Sequence, residues 1–190
     1  MDFGIKNKVA LVQGASSGLG YAAALELARE GCQLAICSRD EKRIQGAAES
    51  IRKVTGATVQ GFVCDLVDPK ARRSMLDEIE ENWGSIDILV ANNGGPSAGF
   101  YDSLSDEQWN KALQGNLIAM KDSAQEVLGG MREKGWGRIV FITSVSVKQP
   151  IDSLILSNTA RAGLTGYAKT LSAQVAEYGI TVNMVLPGIH

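Results

Sequence analysis

Apolar positions along this chain fall into short runs separated by longer stretches of helical spacing. Residues 9–12 (VALV), 33–38 (QLAICS), 58–64 (TVQGFVC), 86–91 (IDILVA), 138–143 (RIVFIT) and 181–185 (TVNMV) read as short buried strands. Between them, residues 19–30, 41–54, 68–82, 105–131 and 151–178 carry the spacing of helices. Their ends are punctuated. Gly31 follows the first helix, Asp68-Pro69 supplies an N-cap and first-turn proline, Gly84 closes that helix, and Ser105 with Gln108 forms a capping box. Strands alternating with helices require parallel crossovers, so the predicted fold class is α/β, a doubly wound parallel sheet with helices on both faces.

In such a sheet the loops at the carboxyl edge carry the chemistry. The first is the most informative: Gly14, Gly18 and Gly20, with Ser16 and Ser17 among them, join the first strand to the first helix. Glycines let backbone approach a pyrophosphate without a Cβ in the way. A helix N-terminus adds unpaired N–H groups and partial positive charge. The spacing therefore predicts a dinucleotide site of Rossmann type. The same edge holds Arg39 after the second strand, Asp65 after the third, the loop NNGGPSAGF after the fourth, Ser144 after the fifth and Pro187-Gly188 after the sixth.

Composition narrows the partners. The 190 residues suffice for one domain, and 19 Lys and Arg against 21 Asp and Glu leave a net charge of −2. No general electrostatic attraction to nucleic acid or anionic membrane follows from that balance. No apolar run approaches the roughly 20 residues that span a bilayer. The start MDFGIKNK lacks the basic-then-apolar pattern of a secretory signal, and a cytoplasmic location is expected. Cys32, Cys37 and Cys64 form no C-x-x-C pair, which predicts reduced, packed thiols and no metal site.

Taken together these motifs resemble the short-chain dehydrogenase/reductase family over essentially the whole chain, most closely its 3-oxoacyl carrier-protein reductases. The family's Thr-Gly-x-x-x-Gly-x-Gly appears as Gln13, Gly14, Gly18 and Gly20, and its Asn-Asn-Ala-Gly as Ala91, Asn92, Asn93 and Gly94. GNLIAM supplies Asn116, FITSVS supplies Ser144, and VNMVLPG places Pro187 and Gly188 beside the expected nicotinamide. The resemblance implies a hydride-transferring oxidoreductase, with Asn116 positioning water and Ser144 polarising the substrate oxygen. Read as residues alone, Asn116 is either a water holder or a buried polar group. Ser144 either meets a substrate or satisfies its own turn. Asn92 either orients the sheet edge near the cofactor or is a turn asparagine.

The family's Tyr-x-x-x-Lys pair is replaced. Thirteen residues after Ser144 stands Ser157, with Arg161 four further on, in SNTAR. An aliphatic hydroxyl is a far weaker acid than a phenol, so Ser157 does not serve as a proton donor. Arg161 can hold ribose hydroxyls and offer a fixed charge to a developing alkoxide, but cannot shuttle protons. Tyr167 lies about 280° around the helix from 157 and reads as a packed or rim tyrosine.

The corner Ser38-Arg39 places no carboxylate at the expected 2′-hydroxyl position and an arginine beside it, so NADP is expected over NAD. Asp40 reads as a helix cap, Lys42 and Arg43 as a solvated helix face, and by resemblance Asp65 meets the adenine. The expected partners are a small carbonyl or alcohol substrate and a second copy of the chain. Leu113, Leu117, Met120 and Leu128 are candidates for the pairing surface or for the core. The chain is expected to be one dinucleotide-binding domain over 1–190 without the family's C-terminal segment, so that either a longer protein or a partner covers the sixth strand. A nucleotide-binding protein without turnover, a sensor or assembly subunit, is the alternative function.

Overall fold

A computed structural model describes residues 2–188. Six parallel strands, β1 (Val9–Gln13), β2 (Gln33–Ser38), β3 (Val59–Val63), β4 (Ile88–Ala91), β5 (Gly137–Ile142) and β6 (Ile180–Val185), form one sheet in the order β3-β2-β1-β4-β5-β6. The chain builds outward from β1 in one direction and, after β3, returns to β4 and builds in the other. That reversal leaves a crevice beyond the carboxyl ends of β1 and β4, where open α/β sheets take their ligands.

Helices cover both faces. On one side α1 (Gly18–Arg29) and α2 (Glu41–Thr55) set Ala24, Ala28, Ile44 and Ile51 against Ala10, Val12, Leu34 and Ile36. On the other, α3 (Pro69–Trp83), α5 (Ala119–Lys134) and α6 (Ile155–Val175) set Ile79, Met120, Val127, Leu164 and Leu171 against Leu11, Leu89 and Phe141. Small alanines on α1 and large side chains on α3, α5 and α6 are packed to different depths on the same sheet. Met120 and Leu128 belong to this core, half-buried Leu117 packs against it, and Leu113 is half-buried.

The anticipated caps are present. Asp40 accepts from the Arg43 N–H at 2.9 Å and Asp68 from the Lys70 N–H at 2.9 Å, each satisfying a donor that the first helical turn leaves unpaired. The Ser105–Gln108 capping box opens α4 (Asp106–Leu113). Two expectations change. The helix predicted over 105–131 carries a π-helical turn at Gln114–Ile118 between α4 and α5, because Gly115 and Asn116 admit an extra residue into the ladder there. The helix predicted from 151 begins at Ile155: Ile151–Leu154 is instead a turn, bridged to the β4–α4 loop by the Gly99 N–H donating to the Ser153 carbonyl at 2.8 Å. Among the described residues β6 pairs with β5 alone, and no helix is long and apolar enough to cross a membrane.

All three cysteines are buried and unpaired, and no cluster of metal-ligating side chains occurs among the described residues. Burial holds the thiols of Cys32 and Cys64 up at about 11, and that of Cys37 higher still. Thiolate is the reactive form, so all three stay protonated at pH 8. Titration with a disulfide reagent at that pH should find essentially no reactive thiol in the native protein and all three in denaturant; a fast-reacting native thiol would contradict this packing.

Candidate functional site

The turn from β1 into α1 is shaped by missing side chains. Gly14 has φ of +59° and Gly18 of +60°, left-handed backbone that favours glycine. A Cβ on Gly20 would overlap the Gly14 carbonyl oxygen, and one on Gly14 would stand 2.9 Å from Asn92 Nδ2. Asn92 donates from Nδ2 to that same Gly14 carbonyl at 3.2 Å, tying the turn to the end of β4. The Ser17 side chain makes no capping bond, and open space lies where a Gly18 Cβ would project. The first N–H groups of α1 are thus left open toward the crevice, as anion binding needs.

A cleft of about 1110 Å³ runs across this edge, lined by Gly14, Ser16, Ser17, Ser38, Arg39, Arg43, Asp65, Gly94, Gly95, Lys111 and Asn116, among others. At one end Arg39 is exposed and makes no ion pair among the described residues. Ser38 Oγ donates to the Asp40 carbonyl at 3.2 Å. Arg43 is not simply a solvated helix residue. It stands at the third position of α2 and reaches back across the helix N-terminus, donating from Nη2 to Ser17 Oγ at 3.0 Å. Two arginines and three serines therefore face the same pocket, the donor set a phosphate monoester asks for. Asp65 accepts from the Val67 N–H at 3.1 Å, which orders its loop and leaves the other carboxylate oxygen toward the cleft.

At the opposite end the β4–α4 loop meets the π-helical turn. Asn93 Nδ2 donates to the Gly115 carbonyl at 2.8 Å, and Asn116 Nδ2 to the Ala112 carbonyl at 3.4 Å, while Asn116 Oδ1 is buried without a partner. Ser144 Oγ accepts from the Ser146 N–H at 3.1 Å, satisfying its own turn yet keeping its hydroxyl hydrogen to give. The Val145 N–H donates to the Pro187 carbonyl at 2.9 Å, which brings Pro187-Gly188 beside Ser144.

Ser157 and Arg161 form a unit on α6. Arg161 is 8% exposed. Its Nε donates to Ser157 Oγ at 3.1 Å, and its Nη1 to the carbonyls of Ile142 at 2.9 Å and Thr143 at 3.1 Å. Burial lowers its pKa from the ordinary arginine value. Tyr167 stands elsewhere. Its ring packs edge-on against Phe141 and its hydroxyl faces the Lys121 carbonyl at 3.5 Å, with burial and then the Asp122 charge raising it to about 12.

Arg43, Asn93 and the carbonyls of Ile142 and Thr143 are the parts sequence reading missed. For Arg43 there was a signal, a basic residue at the third position of a capped helix, where side chains lean back toward the N-terminus. Backbone carbonyls carry none.

Comparison with known proteins gives one answer. The short chain dehydrogenase family model matches residues 8–190. A ketoacyl reductase of the granaticin polyketide synthase of Streptomyces violaceoruber is 38% identical over 182 residues, 95% of this chain and 66% of that protein. The 3-oxoacyl-acyl-carrier-protein reductase FabG of Escherichia coli is 35% identical over 183 residues, 96% of this chain and 73% of that protein. Among solved structures, L-sorbose reductase from Gluconobacter frateurii, complexed with NADPH and L-sorbose, superposes with a TM-score of 0.96 at 32% identity, over 100% of this chain and 72% of that one. An actinorhodin polyketide ketoreductase variant with NADPH superposes at 0.92 and 35% identity, over 96% of this chain and 70% of that one. The chain thus spans 66–73% of the length of these relatives. It belongs to the short-chain dehydrogenase family.

The turn geometry is testable by a single methyl group. Gly20→Ala should cost about 1–3 kcal/mol, the usual range for overpacking a close contact, and lower the melting temperature by roughly 2–12 °C at about 2–4 °C per kcal/mol for a chain of this size. An unchanged melting temperature would mean that the turn does not pack as described.

Proposed function

We propose that this member of the short-chain dehydrogenase family is an NADP-preferring oxidoreductase that moves a hydride between the nicotinamide and a carbonyl or hydroxyl carbon of a small molecule. The observation that carries the reading is the cleft at the β1–β4 reversal, with an open helix N-terminus at its middle and Arg39 and Arg43 at one end. The residues present fit a dinucleotide: glycines where Cβ atoms would intrude, uncapped N–H groups for the pyrophosphate, and a cationic corner for a 2′-phosphate. The NADPH held by the sorbose reductase and the polyketide ketoreductase supports the same reading.

When bound, the cofactor supplies the hydride. Gly14, Ser16, Ser17, Gly18 and Gly20 would cradle the pyrophosphate, Ser38, Arg39 and Arg43 the 2′-phosphate, and Asp65 the adenine. Asn92 and Gly94 shape the wall between them. Pro187 and Gly188 border the reacting end. There Ser144 directs its hydroxyl hydrogen to a substrate oxygen, Asn116 Oδ1 accepts from an ordered water, and Arg161 supplies charge. Ser157 contributes no proton; its oxygen seats the Arg161 Nε. The same lack of an acid is what favours the second reading, a protein that binds the nucleotide and does not turn over. In the cytoplasm, pairing of two chains would use the outer faces of α4, α5 and α6, with half-buried Leu113 and Leu117 as its apolar contacts.

Removing one charged hydrogen bond costs about 1.5–3 kcal/mol, or roughly 10–100-fold in affinity. Arg39→Ala and Arg43→Ala should each weaken NADPH binding by that factor, measured by fluorescence titration, and leave NADH within about twofold. Equal affinity of the unmodified protein for NADPH and NADH would overturn the cofactor assignment.

A further inference from the structure

Among the described residues the guanidinium of Arg161 has no counter-ion. Three of its five N–H groups are spent on Ser157 Oγ and the carbonyls of Ile142 and Thr143. Both hydrogens of Nη2 have no acceptor among the described residues. Among the described residues no carboxylate lies within 4.0 Å, and burial is the cause of the downward shift of its pKa. Nη2 stands beside Gly95, which lines the cleft: a Cβ there would lie 4.0 Å from it. A buried arginine remains charged and is stabilised most by an anion or a strong acceptor at its unused edge. The geometry thus makes the space beside Gly95, where Nη2 is unspent, a seat for a negatively charged oxygen.

Among the described residues, the groups around that seat do not supply an acid. Ser157 is bound to the arginine itself. Ser144, which directly follows the Thr143 carbonyl that Arg161 holds, is an aliphatic hydroxyl. Tyr167 is turned to α5 and made a weaker acid by burial. Cys37 and Cys64 line the cleft on the β2–β3 side, with thiols pushed up in the same way. The lysine of the cleft wall, Lys111, is exposed on α4. A simple ketone that accepts hydride becomes an alkoxide, a base so strong that it needs a proton during the transfer. A conjugated acceptor does not. Its negative charge spreads into an enolate or phenolate, which a fixed cation can hold until water protonates it.

We infer, building on the oxidoreductase reading, that Arg161 is an oxyanion clamp and that the substrate class of this site is the α,β-unsaturated carbonyl. Hydride forms a C–H bond at the β-carbon, the C=C electron pair moves toward the carbonyl oxygen against Arg161 Nη2, and water delivers a proton to the α-carbon. The C=C bond is reduced, the carbonyl survives, and the nicotinamide is left oxidised. Ser157 is a positioning residue in this scheme, holding the Arg161 Nε so that Nη2 stays on the cleft side.

The test has an optical arm and a product arm. 4-Nitrophenol is a phenolate mimic whose ionisation is read from its absorbance. With the NADP-loaded protein its apparent pKa should fall by about one unit, a tenfold preference for the anion. The fall should vanish in Arg161→Gln and return in part in Arg161→Lys. With NADPH and cyclohex-2-enone the product should be cyclohexanone with no onward formation of cyclohexanol, and Ser157→Ala should lower turnover without abolishing the phenolate shift. If NADPH binds and the nitrophenol pKa does not move in the unmodified protein, or if cyclohexanone is reduced as fast as the enone, the clamp inference fails and the cofactor reading stands. If NADPH does not bind, both fail.

Discussion

The cleft depends on how closely the β1–α1 turn can approach the end of β4. Gly20 lies against the Gly14 carbonyl with no room for a Cβ, and Asn92 reaches the same carbonyl from the neighbouring strand. This contact sits at the point where the chain, having built β2 and β3 on one side of β1, returns to build β4 and β5 on the other. It therefore joins the two halves of the sheet at the edge where they diverge. With the turn fixed in this way, the N-terminus of α1 points into the crevice and Ser17 comes within reach of Arg43 from α2. The cationic corner is thus assembled by the turn as much as by the helix that carries it.

The other half of the cleft is governed by a different constraint, the burial of one positive charge. Arg161 is held by two carbonyls at the end of β5 and by the hydroxyl one helical turn before it. Those three bonds fix the guanidinium plane, and they tie Ser157 and Arg161 into one unit on α6. Ser144 follows directly on the backbone that seats Arg161, and Pro187, after β6, is tied to the same loop by the Val145 N–H. On the proposed reading, one end of the cleft takes a fixed phosphate and the other a transient oxyanion, each met by arginine.

Most of the architecture was legible in the pattern of residues because α/β sheets write it locally. Runs such as VALV and RIVFIT, the cap at Asp68-Pro69 and the box at Ser105–Gln108 each specify their element from a few neighbours, and the glycine spacing specified the turn. The same local reading failed where geometry depends on distant backbone. The π-helical turn at Gln114–Ile118 was read as plain helix, since its spacing differs by one residue from an α pattern. Arg43 is exposed as its position suggests, but its bond to Ser17, 26 residues away, has no local signature. That Arg161 would be buried against the carbonyls of Ile142 and Thr143, with no carboxylate beside it among the described residues, was not readable from SNTAR, as the carbonyls that hold it have no side-chain signature.

The most direct measurement is a crystal structure grown with NADPH. The 2′-phosphate is expected between the Arg39 and Arg43 side chains, the pyrophosphate over the first turn of α1, and the nicotinamide end beside Ser144 with Arg161 Nη2 beneath it. A dinucleotide that leaves Arg39 and Arg43 untouched, or that binds away from the Gly14–Gly20 turn, would contradict the reading of this cleft.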